Sequence, residues 1–128
     1  MIDFSNEVFT RIANAVGDNV MVLGEYVETP SEFPCVTVDE IFNIPANLDS
    51  GEDKYADVTY RIQVFSNKKK GKRAEARKIY SEVADVLYEL NLMVKTYTTT
   101  PTVYNSQIYE IQATAEGCIR KDGTMFRR

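Results

Sequence analysis

Apolar residues recur along this chain at two spacings, and each change of period marks an element. Phe4, Val8, Ile12, Ala15 and Val16 return every three or four positions, with Asp3 or Ser5 placed to cap the start and Gly17 to end the run, which predicts a short amphipathic helix. VMVLGEYV (20–27) and CVTVDEIF (35–42) are rich in β-branched and aromatic residues. TPSEFP between them carries two prolines that interrupt any regular element, so two neighbouring strands are expected. Segment 43–57 combines Pro45 and Gly51 with the acids Asp49, Glu52, Asp53 and Asp57 and shows little apolar periodicity. It is expected to be a long exposed acidic loop, and loops of that length in compact domains are usually functional or mobile, which makes it a candidate contact arm.

Beyond the loop the period becomes two. VTYRIQVF (58–65) sets Val58, Tyr60, Ile62 and Val64 against Thr59, Arg61, Gln63 and Phe65, which predicts a strand with one buried face and one wet or partner-facing. Ala76, Ile79, Tyr80, Val83, Val86, Leu87 and Leu90 then mark the stripe of a helix of about five turns, expected to lie across the sheet. MVKTYTTTPTVY (93–104) is strand-like, but Pro101 has no N–H for a ladder, which places it at an edge or in a bulge. Asn105-Ser106 suits a tight turn, and IYEIQATAEGCIR (108–120) alternates again. KDGT (121–124) reads as a turn with glycine at positive φ, leaving MFRR as a short basic tail. The order helix, strand, strand, strand, helix, strand, strand predicts one α+β domain over residues 1–128. It has two layers: a mixed or antiparallel sheet of four to five strands, with both helices on one face.

Composition agrees with a globular chain of 128 residues, 44% hydrophobic and 27% charged. No stretch approaches the roughly 20 apolar residues of a membrane helix, and the start lacks the pattern of a signal peptide, so the chain is expected to stay in the cytoplasm where it is made, away from membranes. Cys35 and Cys118 lie far apart in apolar settings and are expected as reduced thiols in or near the core. The absence of histidine removes Ser-His-Asp and Cys-His catalysis and every histidine-containing metal site. No GxGxxG, Walker loop, CxxC pair or HExxH occurs. Of the acid pairs, Asp39-Glu40 is adjacent on a strand and therefore expected on opposite faces, and Glu52-Asp53 reads as solvated loop. No catalytic residue, metal site or cofactor is expected.

Charge changes the picture more. Residues 1–57 carry 12 acids against two bases, and residues 58–128 carry 13 bases against seven acids, so two surfaces of opposite sign are expected. The densest basic run, from Ser66 to Lys78, holds Lys68, Lys69, Lys70, Lys72, Arg73, Arg77 and Lys78 against the single acid Glu75. Three readings fit it: a phosphate-neutralising patch, a contact with the acidic half of a neighbouring copy, or a solvated strand-to-helix turn. No aromatic residue interleaves with the lysines to stack bases.

The helix SNEVFTRIANAV, the strands around FPCVTVDEIFN, the acidic loop, and VTYRIQVFS leading through a polar turn into AEARKIYSEVADVLYEL together resemble the small tail terminator, or tail completion, proteins of long-tailed bacteriophages and prophages. The resemblance spans most of the chain. It implies a structural, non-enzymatic protein of the virion tail, assembled in the bacterial host cytoplasm. Its subunits would form a ring, commonly a hexamer, that caps the tail tube, ends its growth and meets the head's connector, with DNA only passing through the channel. The implied partners are further copies of the chain, the tail tube protein and a head-completion or connector protein. Interface candidates on that reading are Glu52 and Asp53 of the loop and Lys68, Lys69, Lys70, Lys72 and Arg73 of the basic run. Thr59, Arg61 and Gln63 would line a subunit contact or the channel. Another head–tail neck protein, such as a head-completion protein, or a nucleic-acid-binding accessory domain are the alternatives.

Overall fold

The computed structural model describes residues 2–45, 55–101 and 107–127. Along the chain run α1 (Ser5–Val16), β1 (Met21–Leu23), β2 (Cys35–Pro45), β3 (Tyr55–Ser66), α2 (Lys72–Glu89), β4 (Met93–Pro101), β5 (Tyr109–Arg120) and β6 (Met125–Arg127). The strands form one mixed sheet in the order β1-β2-β3-β5-β4, and β6 pairs with the stretch of β5 that lies beyond β4. β1 runs parallel to β2, and every other pair is antiparallel. Both helices pack on one face, so the chain is a two-layer α+β protein, as its periodicities predict.

That packing follows from the alternation. Val58, Tyr60, Ile62 and Val64 of β3 point to the helices, as do Ile111 and Ala115 of β5. Against them α1 buries Val8 and Ile12, and α2 buries Ala76, Ile79, Val83, Val86 and Leu87. Each of the larger aliphatic side chains stabilises the fold by about 1.5–3 kcal/mol relative to an exposed position. At the start of α1, Asp3 rather than Ser5 accepts an end N–H, with its Oδ1 3.1 Å from the Ser5 amide. Gly17 ends the helix at φ 83°, a conformation costly for other residues. Gly117 has a different reason: a Cβ there would lie 2.6 Å from Met125 Sδ and 3.0 Å from Leu92 Cδ2.

Several expectations need correction. Residues 43–45 and 55–57 are strand rather than loop, because Asn43, Ile44 and Pro45 pair with Val58, Asp57 and Ala56 after a bulge between Glu40 and Phe42 resets the register. The rest of the expected loop, including Glu52 and Asp53, lies outside the described residues, as does the Asn105-Ser106 turn. The tail beginning at Met125 forms β6, since the turn closed by Arg120 N–H to Thr124 O at 2.8 Å, with Gly123 at φ 95°, folds it back on β5 and buries Met125. β4 is an edge strand, but its bulge falls between Val94 and Thr96 rather than at Pro101. β1 stops at Leu23 because the chain leaves the sheet to cross its helix-free face. There Val27 and Phe33 cover Cys35, Phe65 and Ile108, so Phe65 and Gln63, expected on a wet face, are 0% and 1% exposed. Cys35 is buried, Cys118 half-buried, and both are free thiols.

Candidate functional site

Two charged features stand out, at opposite ends of α1. The first is the basic run. Lys68, Lys69 and Lys70 are exposed on the turn after β3, whereas Lys72 and Arg73 belong to the first turn of α2, a helix that begins earlier than the apolar stripe shows. Ser66 pins this turn: its Oγ accepts the Lys68 amide at 3.3 Å and donates to Glu75 Oε1 at 2.7 Å. Gly71 caps α2 at φ 85° with no side chain to offer, and Glu75 is the only acid in the first turn. Cations here sit at the positive end of the helix dipole, where each is disfavoured by about 0.3–1 kcal/mol. None of the seven forms an ion pair among the described residues. Helix stability therefore gives no reason for the cluster.

Arg61 does not join it. It lies five residues before Ser66 on β3, about 17 Å along the strand. Its Nη2 and Nε contact Asp39 Oδ2 and Oδ1 at 2.7 and 3.2 Å, and its Cζ lies 4.3 Å from the centre of the Tyr26 ring. This guanidinium is satisfied within its own chain. Gln63 is a structural clamp: Oε1 accepts from Val27 N–H at 3.2 Å and Thr37 Oγ1 at 2.6 Å, while Nε2 donates to Val27 O at 3.0 Å and Glu110 Oε2 at 3.1 Å. Burial pushes the Glu110 carboxyl upward, against the Gln63 bond that opposes it. Thr59, also nominated from the wet face, is 9% exposed.

The second feature is a cleft of about 610 Å³ at the outer edge of β2. β1 ends opposite Thr37, so from Val38 onward β2 has no outer neighbour among the described residues. Side chains from both faces of the strand reach this open edge. Asp39 and Glu40, expected on opposite faces and therefore apart, both line the one cleft, with Asp3, Glu25, Tyr26 and Tyr60. Glu40 accepts from Asn43 Nδ2 at 3.0 Å, yet burial first and the Asp3 charge second hold its carboxyl above the ordinary range. The Tyr60 hydroxyl is buried and makes no hydrogen bond of ordinary geometry, although Ser5 lies beside it. Burial, then Glu40, keep that phenol protonated well past its ordinary value. Tyr60 reads in the sequence as one more apolar position, and nothing in the alternation distinguishes its hydroxyl.

The helix-free face of the sheet carries Thr59, Arg61, Gln112, Thr114, Glu116, Thr96 and Thr98 in facing positions of β3, β5 and β4. At its far end Phe42, Ile44 and Phe126 are 57%, 53% and 45% exposed. No group of three or more His, Cys, Asp or Glu among the described residues converges to hold a metal ion, and no described helix is long and apolar enough to cross a membrane.

A family model, Tail completion protein gp17, matches residues 10–114, which take in α1 from its middle, both layers of the core and the basic turn. The chain belongs to this tail completion family. It is thereby a structural component of a phage tail. No curated protein matches it.

Proposed function

We propose that this tail completion protein assembles as a ring, a hexamer, on the tip of the finished tail tube, ends tube growth there and presents a surface to the head's connector. Family membership carries the reading. The separation of an acidic cleft from a basic turn supports it, because a subunit with unlike ends associates head to tail, and such contacts close into rings when the rotation allows. The part of the helix-free sheet face that the segment after β1 leaves uncovered, where Thr96 and Thr98 are exposed, supports a channel role. Its threonines and acids, with Arg61 already neutralised by Asp39, let DNA pass without holding it.

Removing the gene from the phage or prophage tests this. Tails longer than normal and heads without tails are expected. Tails of normal length that fail only to join heads would assign the chain to another place in the neck, as a head-completion protein, and normal virions would overturn the reading. The basic turn gives a second reading, a duplex-binding domain, which predicts strongly salt-dependent DNA binding; no binding at low salt removes it.

A further inference from the structure

We propose that the cleft at the outer edge of β2 is the socket for the basic turn of a neighbouring copy. An ammonium from Lys68, Lys69 or Lys70 of one subunit enters between Asp3, Glu25 and Glu40 of the next, above the Tyr60 hydroxyl. The inference rests on the ring reading and names the contact that closes it.

Among the described residues, the one cation paired with an acid of the cleft is Arg61. Asp39 is occupied by Arg61, whereas Asp3, Glu25 and Glu40 form no ion pair among the described residues. The Tyr60 hydroxyl supports this independently. It is a buried polar group in the wall of the cleft that makes no hydrogen bond of ordinary geometry among the described residues, although Ser5 lies beside it, and a lone pair there suits an N–H donor. A bare metal ion does not fit, because no three of the acids converge on one point. A charge on a flexible four-carbon stem does fit, since it can reach one carboxylate after another along the cleft.

The basic turn does not reach the cleft of its own chain. The cleft takes in Ser5 at the start of α1, while Lys68 and Lys78 lie beside Val16 at its end, and the 12-residue helix sets them about 18 Å apart. The lysines meanwhile crowd the positive end of α2, where an outside anion would relieve them. Each surface supplies what the other is missing, in the head-to-tail geometry that a ring repeats.

Three variants in the phage or prophage test this, read by electron microscopy of tail length and head attachment: Glu40→Lys, the pair Lys69→Glu and Lys70→Glu, and all three changes in one chain. Each single-face variant is expected to lose functional tails on the order of tenfold or more, and the combined chain to regain them, since the pair is restored with its signs exchanged. Single-face variants with normal tails would overturn the socket and leave the ring reading standing. Loss in the lysine variant alone would also overturn it, giving the turn another partner, DNA included. A combined chain that melts like the parent by circular dichroism yet stays inactive would overturn the pairing. If gene removal itself leaves tails normal, the ring reading fails and the socket with it.

Discussion

Gln63 fills all four of its hydrogen-bonding positions with Val27, Thr37 and Glu110, and so ties the segment after β1 to the middle of the sheet. Gln63→Met keeps the volume but strands the Val27 backbone pair, the Thr37 hydroxyl and the Glu110 carboxylate. We expect it to cost about 2–4 kcal/mol in urea unfolding, with no change in which strands pair. The alternation marks Gln63 as a polar position on the far face, but its main partner lies 36 residues away, beyond any periodicity. Glu40 was equally hard to read, because its importance depends on where β1 stops. Its carboxyl faces Asp3, Ser5, Asn43 and Tyr60, and burial raises its affinity for a proton in the folded chain. The destabilising charge is therefore fully present above the raised value and relieved as pH falls through it toward 4.5, the ordinary value. The isolated subunit should gain thermal stability on acidification from about pH 7 toward pH 5. Glu40→Gln should reduce that gain, leaving the part due to Glu110, and an unchanged profile would remove Glu40 as its source.

Among the elements, β3, β5 and α2 were the most legible, because each follows one period without interruption: 58–65 and 108–120 alternate, and the stripe from Ala76 to Leu90 repeats helically. The ends were less so. The bulge after Glu40, the start of α2 at Lys72 and the pairing of β6 depend on cross-strand register, on a glycine cap and on a tight turn. The early start of α2 has a consequence for stability, since it puts Arg73 on the helix and next to its positive end. Arg73→Glu should therefore raise the stability of the isolated chain by about 0.3–1 kcal/mol, seen as a higher melting temperature. If the same change weakens tail completion, the cation was kept for a partner against the interest of the helix, the usual sign of a functional position. A lower melting temperature would show instead that Arg73 supports the fold.

For the whole molecule, the two charged ends make assembly and folding respond to solution conditions in different ways. The core is apolar and closes within one chain, so salt should leave unfolding largely unchanged. A contact between an acidic cleft and exposed lysines is screened once the Debye length falls from about 10 Å at 0.1 M salt to about 3 Å at 1 M. Acid acts on the same contact through Glu40: protonation removes the charge that a lysine would meet, even as it relieves the cost of burying that charge in the free subunit. Light scattering behind size exclusion should therefore find the ring dispersing to subunits as salt rises or as pH falls toward 5, while circular dichroism finds subunits that melt no lower than before. A ring that survives both treatments would be held by apolar contact instead. The exposed Phe42, Ile44 and Phe126 at the end of the sheet would then be the first residues to change to polar ones.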